Sequence, residues 1–227
     1  GGVDLPSAEP VSGSSAARCW SPVKWALNTR HYWLIASVVI VAGVVGTVSG
    51  NVDLPIPFLS ALLGTSTMPA PVIPSLVVAI VAGGSIQSAE MLWTFASVRN
   101  VVAHSMALAA AVVLLVFVVS FTTGILVGDS AVAVLLTRDV AGFLVLWSVS
   151  RALGIERFAS LVPVVYLLIA AIFARNSLGQ TRGWAWILDR DLGNLWAVYT
   201  IFLGTLLTLL FVLRRRSLLG GAKGPKV

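Results

Sequence analysis

The chain has 227 residues, 58% of them apolar and only 11% charged, with 15 Lys and Arg against 9 Asp and Glu for a net charge of +6. That charged fraction is less than half the roughly 25% of a soluble globular domain, which excludes an ordinary soluble enzyme and points to a membrane protein. At about 20 residues per crossing, the length holds five or six spans with short loops and no large soluble domain.

Residues 1–17 are rich in Gly, Ser and Pro, have no apolar core and are expected to be disordered. The chain begins Gly1-Gly2 rather than with Met, which suggests processing or a boundary that is not the natural start. No cation-led apolar run with a cleavage signature follows, so no signal peptide is read and the first span is expected to be retained. Cys19 is the one cysteine, which excludes an internal disulfide; it reads as an inert thiol at the membrane surface.

From Arg18 to Trp33 the character changes, with Trp20, Trp25, Tyr32 and Trp33 interleaved with Arg18, Lys24, Arg30 and His31. Indoles and cations together favour the headgroup layer, so Trp20 to Arg30 reads as an amphipathic helix in the membrane plane; the plainer alternative is a flanking segment with snorkelling cations. Six apolar runs follow, over about 32–48, 71–86, 101–126, 131–150, 158–174 and 195–213, which predicts an all-α membrane bundle forming one domain over 18–216 with a basic tail at 217–227. An even number of spans puts both termini on one side.

Charge selects the side. Arg18, Lys24, Arg30, Arg99, Arg151, Arg157, Arg214, Arg215, Arg216, Lys223 and Lys226 fall on one face, and Arg138, Arg175, Arg182 and Arg190 on the other. By the positive-inside rule both termini are cytoplasmic. The cations are scattered over juxtamembrane positions rather than gathered on a soluble module, so nucleic acid is excluded as a partner.

The connections carry further expectations. Between the first two runs, Pro55, Pro57 and Pro69 surround an apolar Phe58 to Leu63 too short to span, read as a re-entrant or interfacial piece or an extension of the first span. The second run holds Pro71, Pro74, Gly83 and Gly84 and is expected to kink or to continue toward Phe95. In the fourth, Arg138 and Asp139 are adjacent charges in an apolar stretch. A mid-membrane charge costs about 2.5 kcal/mol or more, so the pair is either an outer-interface pair with a snorkelling arginine or a polar contact in a translocation path. Trp184 and Trp186 followed by Asp189, Arg190 and Asp191 describe a short amphipathic helix on the outer surface, an aromatic belt or an aromatic gate.

No sequence motif for chemistry is present. There is no phosphate-binding Gly-rich loop with its Lys, no His-Glu-x-x-His, and His31 and His104 stand a hairpin apart, so neither a nucleotide site nor a metal site is expected. Gly83-Gly84-Ser85 lacks the partners of an intramembrane serine protease. The acids sit at or near predicted interfaces, Asp139 being nearest to an exception, and the two halves show no repeat, which weakens a proton-driven secondary carrier.

The polar interruption between the second and third runs, Glu90 to His104, resembles the cytoplasmic elbow of the permease subunits of ATP-binding-cassette type-2 exporters. There an acidic residue opens a short helix and an arginine followed by apolar residues leads into the third span; Glu90, Arg99 and Val101 to His104 stand at those positions. Trp93, Thr94, Ala96 and Ser97 occupy the place of the glycine and proline common in the family. The resemblance implies a non-catalytic subunit with no cofactor, moving a lipid, peptide or drug-like substrate, paired with itself or a sister permease and driven by a separate ATPase subunit that docks at Glu90, Trp93, Phe95 and Arg99. Read without the family, the stretch is either a docking turn with aromatic anchors or a short loop with interface aromatics. The competing function is an accessory or scaffolding membrane subunit with no path of its own. Arginine outnumbers lysine 12 to 3 beside many Ala, Val and Gly, which suggests a GC-rich bacterium and hence a bacterial plasma membrane.

Overall fold

The computed structural model describes residues 31–55, 67–95, 101–174 and 180–220. Both the disordered segment expected over 1–17 and the interfacial helix expected over Trp20 to Arg30 lie outside these residues, as do Phe58 to Leu63. Among the described residues the fold is carried by six α-helices: α1 (His31–Val48), α2 (Val72–Phe95), α3 (Val101–Val127), α4 (Ser130–Ala152), α5 (Leu161–Phe173) and α6 (Leu195–Gly220). These runs are rich in Val and Ile, which in water favour strands. In an apolar medium a helix satisfies every backbone group within its own segment, and that requirement overrides the preference.

The helix ends are written in the sequence. Pro74 sits in the first turn of α2 and Pro163 in the first turn of α5, where no intrahelical N–H is lost. The expected proline kink is therefore absent: α2 is one uninterrupted helix that continues past the apolar stretch to Phe95. Gly154 takes a left-handed φ of 84° just after α4, and the Ile155 N–H reaches back 3.0 Å to the Ser150 carbonyl, closing the helix with a Schellman turn. Gly128, at φ 85°, ends α3 and lets α4 begin two residues later. At the other end of the chain α6 does not stop at the expected residue 213; its backbone stays helical through Arg214 to Arg216 and on to Gly220.

The first connection is not an extension of α1. The helix stops at Val48, and Asp53–Pro55 pairs antiparallel with Thr67–Pro69 in a two-stranded ladder, β1 and β2, with Leu54 opposite Met68. Gly50, Asn51 and Asp53 end the helix because they favour turns over helix, and Pro55 could not continue it.

The helix at the centre is α4, which packs on α3, α2, α6, α1 and α5. Its buried residues, among them Leu136, Val140, Phe143, Leu144 and Trp147, leave no broad face uncovered. Close approach comes from small residues. A side chain at Gly43 would come within 2.8 Å of Val119, and one at Gly46 would run into Leu136. Such contacts are how helices associate where the medium is as apolar as their side chains.

Two helices, over Ser105–Val127 and Ser130–Ala152, are long and apolar enough to cross a membrane. At 1.5 Å per residue each makes about 35 Å, against roughly 30 Å of hydrocarbon. Among the residues whose side chains are described, the remaining apolar stretches, Tyr32–Val48, Val72–Ser88, Leu161–Phe173 and Leu195–Leu210, are shorter. Only 22% of the α3 stretch is buried, so α3 is not the core helix of a soluble bundle. Its outward face carries Leu114, Phe117, Val118, Phe121 and Ile125.

Candidate functional site

At one end of the bundle the β ladder, the α3–α4 turn and the α5–α6 connection are tied together. Arg190 Nη2 donates to Asp53 Oδ1 at 2.7 Å, and Asn51 Nδ2 donates to Asp129 Oδ2 at 3.3 Å. Both side chains of the Arg190–Asp53 pair are about half exposed, so the pair contributes about 1 kcal/mol at most. The stronger attachment lies beneath it.

Arg138 and Asp139, the adjacent charges of α4, come together there. Arg138 Nε donates to Asp139 Oδ1 at 3.1 Å, and Nη2 stands 3.0 Å from the same oxygen. The other edge of the guanidinium serves the α5–α6 connection: Nη1 donates to the Asp191 carbonyl at 3.0 Å, and Nη2 to the carbonyls of Trp186 at 3.0 Å and Asp189 at 2.8 Å. The two side chains keep 10% and 4% of their surface exposed. Arg138 therefore does not snorkel to the headgroups. It turns inward under a loop whose carbonyls converge on it, which is what a rigid five-donor fork demands once desolvated.

The loop is shaped to be held. Two short 3-10 turns over Gly183–Leu188, broken by a kink at Ala185, tuck Ala185, Trp186, Ile187 and Leu188 into the bundle. This replaces the expected amphipathic helix on the outer surface: Trp186 is 1% exposed, so it is a core residue and no part of an aromatic belt. The cause is Gly142 on α4, whose missing side chain leaves the notch that the Trp186 ring fills. Arg138 lies 5.7 Å from the centroid of that ring, and Tyr166 of α5 sits 6.2 Å from it and donates its hydroxyl to the Trp184 carbonyl at 2.8 Å. Beyond, Asp189 accepts from the Asp191 N–H and from Asn194 Nδ2, while Asn194 Oδ1 accepts from the Trp196 N–H at the start of α6. In chemical terms the cluster is a clamp. It fixes one connection to α4 and presents no nucleophile with its base.

Tyr166 and Gly142 were not singled out by sequence reasoning. The available signal was Arg138 itself, since a buried arginine needs more acceptors than one aspartate offers. Nothing in the order of residues indicates that they are carbonyls some fifty positions away.

The opposite end carries the elbow. Glu90, Trp93 and Phe95 fall on the last turns of α2, so the acidic residue does not open a separate helix. The side chains of these three lie outside the described residues, as does Arg99 entirely. α3 resumes at Val101, after five residues that lie outside the described ones. Ile86 of α2 packs with Trp147 of α4 and with Ala159 of the α4–α5 turn. From Ile86 to Phe95, nine residues carry α2 about 13 Å beyond that level. Trp147 lies against Gly83, and Arg151 stacks over its ring at 4.9 Å.

Comparison with protein-family models, with curated proteins and with solved structures gives no match. The class defined by the fold is a mostly helical bundle with two helices long and apolar enough to cross a membrane.

Proposed function

We propose that the chain is a multi-pass membrane protein with six spans and both termini cytoplasmic, working as the non-catalytic permease subunit of an ATP-binding-cassette exporter in a bacterial plasma membrane. It pairs with itself or a sister permease and couples to a separate ATPase subunit. The observation that carries this reading is α2, one helix from Val72 to Phe95 that runs on more than a turn past Glu90, its one charged residue. A continuous stem, with α3 as its return from Val101, transmits displacement from a docked partner into the bundle. Glu90, Trp93, Phe95 and Arg99 are the docking residues.

Mild detergent extraction of the tagged chain from its native host tests this. An ATPase subunit is expected to copurify and to be lost from the Trp93→Ala/Phe95→Ala double variant; its absence from the wild-type preparation overturns the exporter reading. A second reading, an accessory subunit with no path of its own, is favoured by the Arg138–Asp139 pair. Both charges are occupied by contacts within the chain. Retention of a membrane partner without any ATPase supports that alternative.

A further inference from the structure

The α4–α5 turn presents a surface that the clamp and the elbow do not use. Ala159, fully buried between Ile86 and Trp147, anchors it to the bundle. Around that anchor four large apolar side chains point away from the protein: Leu153 is 72% exposed, Ile155 44%, Phe158 59% and Leu161 52%. Arg151 and the exposed Arg157 flank them. Two arginines against Glu156 leave the turn net positive, and the Arg214 to Arg216 run of α6 falls on the same side by the charge count.

A connection of eight residues with this pattern does not belong in water. Its depth selects its neighbour. Ala159 packs at the level of Ile86, one turn before Glu90, the first charged residue of α2, so the turn sits at the border of the hydrocarbon. A soluble partner approaching from that side meets the end of α2 first, about 13 Å further out. What lies at the turn's own depth is the headgroup layer of the inner leaflet, where apolar side chains reach acyl chains and arginines meet phosphates.

We infer that the α4–α5 turn is an anionic-phospholipid anchor, with Leu153, Ile155 and Phe158 inserted below the headgroups and the exposed Arg157 pairing with lipid phosphates. The inference rests on the multi-pass reading above and adds a lipid preference to it. Stacking on Trp147 orients Arg151 along the bundle surface, and the left-handed Gly154 turns the chain so that Leu153 and Ile155 leave α4 outward.

The test uses the full chain with Cys19→Ser and one spin-labelled thiol, at Leu153→Cys in the turn or at Leu114→Cys on the outward face of α3. Each is reconstituted in phosphatidylcholine vesicles titrated with phosphatidylglycerol. Collision with oxygen against a water-soluble nickel chelate reports depth. The label at 153 is expected to move from chelate-accessible to oxygen-accessible as phosphatidylglycerol is added, with the midpoint shifted to about fivefold higher anionic-lipid content by Arg157→Gln. A label at 153 that stays chelate-accessible while that at 114 is oxygen-accessible overturns the lipid anchor and leaves the multi-pass reading standing. A label at 153 that is oxygen-accessible without dependence on phosphatidylglycerol overturns the anionic preference. A chelate-accessible label at 114 overturns both.

Discussion

Arg138 shows how one side chain decides a connection. Its guanidinium reaches an aspartate and three carbonyls while nearly sealed from solvent, so the burial of charge is compensated at every edge that contacts the loop. Arg138→Leu is expected to lower stability by about 3 to 5 kcal/mol, because it leaves Asp139 buried without a counter-charge and removes the guanidinium donors that tie three loop carbonyls to α4. The double variant Arg138→Leu/Asp139→Leu is expected to recover a large part of that loss, since no isolated charge remains. Thermal unfolding in detergent reads both, and protease sensitivity across 183–194 shows whether the loop is what loosens. Equal melting temperatures for the wild type and Arg138→Leu would show that the clamp contributes nothing.

The helices were legible in the sequence and their joints were not. Long apolar runs leave a backbone no partner but itself, so α1, α3 and α4 fall close to the expected boundaries. Pro74 suggests a kink because proline breaks helices; this close to the start of its run, it begins one instead. Asp53–Pro55 and Thr67–Pro69 carry prolines on both strands of the ladder, so they read as loop, and their pairing depends on distant chain closure. The elbow residues Glu90, Trp93 and Phe95 are placed by resemblance, and what the fold adds to them is a continuous stem. The stops are written more plainly, as Gly128 and Gly154 show. Gly154→Ala is expected to destabilise by about 1 to 2 kcal/mol, because an L side chain at φ 84° opposes the left-handed turn that lets Ile155 reach Ser150. If the Gly154→Ala variant melts with the wild type in detergent, the turn has another closure.

For the whole molecule the question is how many helices cross. α3 and α4 have the length, whereas α5 has 13 residues and about 20 Å, well short of the hydrocarbon thickness. A six-span bundle therefore requires α5 to be completed by its flanks, the short 3-10 turn Glu156–Phe158 on one side and Ala174 on the other, or the bilayer to thin beside it. The connections alternate between the two ends. The β ladder, the α3–α4 turn and the α5–α6 loop bond to one another at one end, and the α4–α5 turn packs beside the lower part of α2 at the other. Single thiols in the Cys19→Ser background separate the two ends. Ser130→Cys and Leu192→Cys are expected to react with a membrane-impermeant maleimide on intact cells, and Arg157→Cys only after permeabilisation. Reaction of Arg157→Cys alone would invert the orientation read from the charges. Labelling of Ser130→Cys but not Leu192→Cys would mean that α5 does not cross, and the bundle would then have to hold α5 as a half-membrane helix beneath the Trp186 loop.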